Sequence, residues 1–453
     1  MSGHAVVLGC GIAGLMTAAA LAEHVDTVTV VERDTLPDEP VVRKGVPQGH
    51  HTHGLLSTGV LAMDALLPGT LRALLDAGAQ RVGLGDGTLV HGPHGWMRRT
   101  PPGPHFIVGA SRALTEHVLR TRLLDRYPVN VLQGAEATGL LGDLRRVRGV
   151  RIRHRGSGRT EEVPATLVAD TTGRGSRTAA DWLPALGLPP VPVSTVDAGL
   201  AYTSFTVRVT GPDRLVPCVN LLADARGGRP GRGGFLLRIE QDRWLVTLSG
   251  TRGAHPPRDD AGIKDFAHSL AHSLIADLLT HTEREGRVHG YRNTANRRHH
   301  YERLPHWPAG LLVLGDAATT FNPVYAQGMT VAALSALALR TALEQHPARE
   351  LDFAQVQKRV CAIGNLPWLL STTEDIRYPG ATGPRPAPTP ALRAIQSLAD
   401  RLRSTAACDP VAARAFYDLV ALRTDPLKLL TVGVALGLLR GPRQAALVEP
   451  PLP

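Results

Sequence analysis

The chain has 453 residues, 43% hydrophobic and 20% charged, with a formal net charge of +10. That length is long for one compact domain and comfortable for two interlocked ones, with core enough to need no disulfide or metal staple. The charge does not mark a nucleic-acid binder: only four of the 50 basic residues are lysine (Lys44, Lys264, Lys358, Lys428), and the arginines are dispersed among abundant Ala, Gly and Pro, as in translation from a GC-rich genome.

In chain order, residues 4–9 (HAVVLG) read as a buried parallel strand, 12–24 as a helix and 27–32 (TVTVVE) as a second strand, a βαβ unit. Residues 33–53 are too irregular for a regular element. Helical patterns cover 53–67 and 69–77, and a stronger helix covers 111–127, with Ser111 as N-cap and Leu114, Val118 and Leu123 on one face. Residues 129–132, 147–154 and 165–170 read as strands. From about 196 to 249 the pattern becomes antiparallel, with strands at 198–209, 216–222, 234–239 and 244–249. A helix is expected over 259–280, a short buried strand over 311–314 and a long helix from Pro323 to 345. The remainder reads as helical, broken by a Pro/Gly-rich linker at 379–390. No internal repeat is visible. Strands that belong with the first βαβ unit therefore recur far along the chain. The expected fold class is α/β: a Rossmann-like nucleotide-binding domain assembled from separated segments, an inserted, mainly antiparallel β-sheet domain, and a C-terminal helical region.

Cys10, Cys218, Cys361 and Cys408 form no zinc-type pair and no disulfide framework, which suits a reducing cytoplasm. The N-terminal apolar run carries glycines at dinucleotide-binding spacing and reads as fold rather than signal peptide. No run of about 18 apolar residues exists, so no stable membrane insertion is expected; the apolar stretch 427–439 should pack on the protein. His50, His51 and His53 suit no usual metal spacing and read as loop or cofactor-side histidines; no metal is expected. His299 and His300 read as surface residues. There is no G-x-S-x-G and hence no nucleophile elbow.

Three motifs carry chemistry. Gly9-Cys10-Gly11-Ile12-Ala13-Gly14 is a G-x-G-x-x-G between strand and helix. Gly9 permits the tight turn, Gly11 the approach of a pyrophosphate, and Gly14 close helix–strand packing. The helix N-terminus then faces the phosphates. Glu32 ends the second strand, where an acid meets ribose hydroxyls, and Arg33 follows it. The second motif runs from Asp170 through Gly173 to Ser176, after a strand. The third is Gly315-Asp316-Ala317-Ala318 followed by Phe321-Asn322-Pro323-Val324-Tyr325-Ala326-Gln327-Gly328-Met329. There an aspartate past a strand end can accept from sugar-like hydroxyls, and Pro323 and Gly328 suit a helix start beside a ligand.

Together these motifs, in order and spacing over residues 4–345, resemble FAD-dependent monooxygenases of the para-hydroxybenzoate hydroxylase type. Arg43-Lys44-Gly45-Val46-Pro47-Gln48 with His51, His53 and Leu55, together with FNPVYxQGMT, is more narrowly similar to the flavin epoxidases of polyether-antibiotic biosynthesis, of the monensin and lasalocid type. The resemblance implies FAD held by Gly9, Gly11, Ala13, Gly14, Glu32, Arg33, Arg43, Arg112, Asp170, Gly173, Gly315, Asp316, Gly328 and Met329. Arg112 contacts the cofactor, Arg43 lies near the flavin and Asp316 binds the ribityl chain. Pro323, Ala326, Gln327 and Gly328 are expected at the reacting centre. The family usually has glycine where Ala326 stands. The domains implied are 1–80, 105–180 and 285–345 for FAD, 81–104 and 181–284 for substrate, and 346–453 as helical tail.

The activity implied is epoxidation of an alkene in a polyene polyketide or similar hydrophobic intermediate, through a flavin C4a-hydroperoxide, with molecular oxygen and with NAD(P)H as donor, directly or through a flavin reductase. Aromatic polyketide hydroxylation and, with Ala326 in view, an FAD-retaining cyclase without net redox chemistry are the alternatives. The halogenase signature W-x-W-x-I-P is absent; Trp96 stands in GWMRRTP instead.

Overall fold

The structure, a computed structural model, describes residues 3–210, 216–384, 390–423, 431–442 and 444–452. Its centre is a five-stranded parallel sheet in the order Leu311–Val313, Leu167–Asp170, His4–Leu8, Thr27–Val31, Val129–Leu132. The inner strands His4–Leu8 and Leu167–Asp170 are nearly continuous apolar runs because both faces are covered. The helix Ile12–Leu21 is buried nearly all round, and the helix Gly328–Gln345 packs against it. From the central strand His4–Leu8 the chain leaves to Thr27–Val31 on one side, while Leu167–Asp170 sits on the other. That divergence opens a crevice beyond Leu8 at the carboxyl ends of the strands. The fold class is the α/β arrangement expected, with antiparallel sheets inserted.

A seven-stranded sheet runs in the order Thr282–Tyr291, Ala201–Val209, Arg243–Gly250, Arg232–Ile239, Cys218–Leu221, Thr88–Gly92, Gly95–Trp96, antiparallel except where Cys218–Leu221 meets Thr88–Gly92. Its pleat sorts the side chains. Phe205, Val207, Trp244, Val246 and Leu248 face the helices Asp260–His268 and Leu274–Leu279, packing with Ile263, Phe266 and Ile275. Their neighbours Thr247, Ser249 and Phe235 point the other way, into a cavity. Phe205 and Trp244 are thus core, and Phe235 is cavity wall.

Several elements differ from expectation. Residues 54–56 are a strand, Gly54–Leu56, paired with Phe106–Gly109, and the helix begins only at Ser57. The helix expected over 259–280 is broken in two. The Ser269 hydroxyl bonds back to the Phe266 carbonyl (2.7 Å), and His272 Nδ1 accepts from the Leu274 N–H (3.0 Å), so side chains compete with the helical ladder there. The long helix starts at Gly328 rather than Pro323, after a single turn over Pro323–Tyr325. Strands at Ala135–Gly142, Thr160–Pro164, Thr282–Tyr291 and Asn296–His299 escaped the periodicity because most lie half exposed, with mixed or polar sequence. The helix at 112–126 has the expected cap, with Ser111 Oγ accepting from the Leu114 N–H.

The C-terminal helices Pro390–Ala406, Pro410–Val420 and Val432–Arg440 close the open side of the seven-stranded sheet, packing Leu402, Ala413, Tyr417, Val434 and Leu438 against Val90, Ile107, Cys218 and Leu237. Of the apolar stretch 427–439, residues 427–430 lie outside the described residues; Val434 and Leu438 pack on the protein. Residues 385–389 of the linker likewise lie outside them. No single described helix is long and apolar enough to cross a membrane.

Candidate active site

One cavity of about 1140 Å³ starts at the crevice beyond Leu8 and runs beneath the seven-stranded sheet. Its first end is the glycine turn. Gly9 has φ +96°, a left-handed value that favours glycine. A Cβ at Gly14 would sit 1.9 Å from the Gly9 carbonyl oxygen, so Gly14 serves packing and does not line the cavity. At Gly11 the nearest atoms to a Cβ are 3.8 Å away or more, which leaves the turn open to a ligand. Gly11 receives no side-chain cap and the first helical turn holds no acid, so its N–H groups and partial positive charge face the cavity.

A buried ion cluster fixes that turn. Glu32 Oε2 accepts from the Cys10 N–H (2.8 Å) and Oε1 from the Asp34 N–H (2.9 Å). Arg43 pairs with Glu32 (3.2 Å) and Glu116 (2.9 Å), and also donates to the Cys10 carbonyl (3.2 Å). Arg112 takes the other Glu116 oxygen at 2.7 Å. Burial pushes the Glu116 carboxyl up, but Arg112 and Arg43 outweigh it and hold it below its usual range. The Cys10 peptide is therefore gripped at both N–H and C=O, and its thiol, pushed up to about 12 by burial and Glu32, is inert. Arg43 lines the cavity, yet its guanidinium is committed within the protein. Arg33, which donates to the Gly45 carbonyl, also lines the cavity with Ala13, Glu32 and Arg112.

Asp170 corrects the sequence expectation. It is fully buried and does not line the cavity; Oδ1 accepts from the Thr172 N–H and hydroxyl, and Oδ2 from the Ser176 and Thr178 hydroxyls. With both oxygens consumed locally, it shapes its own turn, leaving Gly173 on the cavity wall. Gly315 is also off the wall: with φ +62°, a Cβ there would meet the Ala13 methyl at 2.9 Å. Its neighbour Asp316 does face the cavity, and among the described residues its carboxylate has no hydrogen-bond partner. Burial pushes its carboxyl up, opposed by Arg174, Arg112 and Arg297.

Beyond Asp316, the turn 322–327 lies between the two ends of the cavity. Pro323, Ala326, Gln327, Gly328 and Met329 all line it. Ala326 adopts φ +54°, ψ +23°, left-handed geometry that suits glycine better than an L side chain. Asn322 Oδ1 accepts from the Val324 N–H and the Tyr202 hydroxyl (3.2 Å each), and its Nδ2 donates to Asp375 (2.9 Å). Tyr325 donates to Asp375 at 2.7 Å. Gln327 Nε2 donates to the Val420 carbonyl (3.2 Å). Asp375 and Tyr202 went unnoticed in the sequence, and Tyr325 stood there only as part of the third motif, with no role of its own; a lone acid in the tail carries no local signal.

The histidines divide. His51 and His53 line the cavity and are neutral, pushed down to about 3 and about 4 by burial. His51 bonds Ser204 (2.8 Å), which bonds Thr247 (2.6 Å). His50 stacks on His289. His300 is buried between Ser194 and Glu302 and His299 is half-buried, so neither is the surface residue expected; the sequence does not reveal the sheet that covers them. Among the described residues no cluster suits a metal. The far end of the cavity is apolar, walled by Leu84, Val90, Phe235, Leu402, Phe416 and Leu419.

Residues 3–348 match the family model described as FAD binding domain. Protein Rv3254 of Mycobacterium tuberculosis is 32% identical over 433 residues, covering 91% of this chain and 88% of that one. Among solved structures, the myxobacterial chondrochloren halogenase CndH is 18% identical with a TM-score of 0.63, covering 88% of this chain and 90% of that one. PqsL of Pseudomonas aeruginosa, described as a probable FAD-dependent monooxygenase, is 17% identical with a TM-score of 0.58, covering 83% and 97%. Both structures share the fold.

Proposed function

The chain belongs to the FAD binding domain family, and we propose that it is an FAD-dependent monooxygenase that epoxidises an alkene of a hydrophobic, polyene-like natural-product intermediate. One oxygen atom of O2 enters the substrate and the other leaves as water, with two electrons from NAD(P)H, delivered directly or through a flavin reductase. The observation that carries this reading is the continuity of the cavity: a dinucleotide cradle and an apolar chamber share one space of about 1140 Å³, with the 322–327 turn between them.

The residues present fit FAD. Gly11 leaves room where a Cβ would meet nothing closer than 3.8 Å, and the unpartnered Asp316 carboxylate is an acceptor awaiting a hydroxyl donor. Gly9, Gly11, Ala13 and the helix N-terminus would hold the pyrophosphate. Glu32 would accept from ribose and Asp316 from the ribityl chain. Bound FAD supplies the two-electron and oxygen chemistry. The chain's own work is to bind, orient and exclude water. N–H groups at the start of the helix Gly328–Gln345 present positive potential to the cavity. Phe235, Leu402 and Phe416 desolvate and align an apolar chain beside that turn. An alkene needs no protein base, and the neutral His51 and His53 leave the wall uncharged there.

The test uses purified holoprotein. Anaerobic NADH or NADPH, alone or with a flavin reductase, should bleach the yellow flavin, and air with a polyene should restore it while consuming oxygen. Conversion of a polyene without oxygen would favour the redox-neutral cyclase instead, and a halide-dependent product would favour halogenation.

A further inference from the structure

We propose that Asp375 is a positioning residue for the cofactor-side turn: its carboxylate, carried in by the C-terminal helix Asn365–Asp375, gathers Asn296, Asn322 and Tyr325 and so holds residues 322–327 in the geometry that presents Gly328 and Met329 to the cavity. The helical tail is thereby part of the FAD site, although the family-matched residues end at 348. This rests on FAD being the ligand of the cradle.

Three side chains from two segments, Asn296 and the 322–327 turn, converge on this one carboxylate, at separations of 79, 53 and 50 residues. Oδ2 accepts from Asn296 Nδ2 (2.7 Å) and Asn322 Nδ2 (2.9 Å), and Oδ1 accepts from the Tyr325 hydroxyl (2.7 Å). Asn296 closes the ring, its Oδ1 accepting the Asn322 N–H at 2.8 Å. Asp375 is 2% exposed, so solvent replaces none of these bonds. The turn needs such a hold because Ala326 sits in a left-handed conformation that a methyl-bearing residue does not choose unaided.

The ring also confers pH dependence. The ionised carboxylate accepts all three as charge-assisted bonds; protonation removes that assistance and, at Oδ1, reverses the Tyr325 bond, which loosens the hold on the turn. Burial pushes the Asp375 carboxyl up to about 6, against the three hydrogen bonds that lower it, and Glu374 adds to the rise. The other titratable groups beside it are the hydroxyls of Tyr325, Tyr202 and Tyr378. Arg377 and Arg403 pair with Glu374 and Asp400. Because the folded value lies above the unfolded one, ionising Asp375 costs folding stability as pH rises toward 6, while it completes the ring. The turn is thus tightest above that pH, at some expense to the fold.

The experiment combines hydrogen exchange and FAD titration of the full-length apoprotein between pH 5 and 8, for wild type, Asp375→Asn and the milder Tyr325→Phe. In wild type, exchange in residues 322–327 should quicken and FAD affinity should weaken roughly tenfold as pH falls through 6. Asp375→Asn should show fast exchange and weak FAD binding at every pH, and Tyr325→Phe an intermediate state. A wild-type pH profile retained in folded Asp375→Asn overturns the proposal. So does faster exchange with unchanged FAD affinity, which would leave a lock that does not serve the cofactor. Wild type that binds no FAD at any pH, yet shows the pH-dependent exchange, would refute the functional reading and leave the lock standing.

Discussion

Two turns face the same cavity and are held by different means. The glycine turn at 9–14 has glycine wherever its backbone needs one, and a buried cluster of two arginines and three carboxylates grips it. The 322–327 turn has alanine at its left-handed position and depends on one carboxylate with three neutral donors. The first hold consists of opposite charges paired with one another. The second is a single group pushed toward neutral pH. In the proposed function the first turn is the rigid cradle of a pyrophosphate, and the second, beside the proposed reacting centre, is the one whose order we propose responds to pH.

The largest break in this contrast comes from the ion cluster. Arg43→Ala should leave Glu32, Asp34 and Glu116 short of a buried partner and cost about 3–5 kcal/mol of stability, seen as a lower urea midpoint together with lost flavin. A variant of wild-type stability would mean that the cluster does not hold the turn. Next comes Asp316, whose carboxyl is pushed up by burial and has no hydrogen-bond partner among the described residues. Its favourable contribution to folding is present at acid pH and lost as pH rises through its folded value, so Asp316→Asn should raise the melting temperature of the apoprotein at pH 7.5. The same change should weaken FAD binding by roughly tenfold or more. Movement of both quantities in one direction would contradict the assignment. The smallest effect belongs to Ala326→Gly, which removes the left-handed penalty and should stabilise by roughly 0.5–1 kcal/mol. It should also flatten the pH dependence of exchange at 322–327, since the turn would then lean less on Asp375.

The glycine turn was legible in the sequence because every part of it is local: strand, three glycines, helix and acid all fall within residues 4–32. Gly14 does what its place in the motif implied, and Ser111 capped its helix as its position implied. Asp170 was misplaced although the signal lay beside it; Thr172, Ser176 and Thr178 supply the hydroxyls that consume its lone pairs. The strand Thr282–Tyr291 was hidden because a sheet edge tolerates the polar run TEREGRVHGY. Phe235 could not be separated from Phe205 without the register that turns one to the cavity and the other to the helices. Asp375 had no local pattern at all, because its three partners are assembled only by the fold.

The most direct measurement of the central claim is isotopic. Purified holoprotein, NAD(P)H with a flavin reductase where needed, and a hydrophobic polyene are combined under labelled O2, and the product is weighed by mass spectrometry. One labelled oxygen atom per oxidised alkene, dependent on bound FAD, is the expected result. A product formed without oxygen, or one whose new oxygen comes from water, would contradict the reading of this cavity as a monooxygenase site.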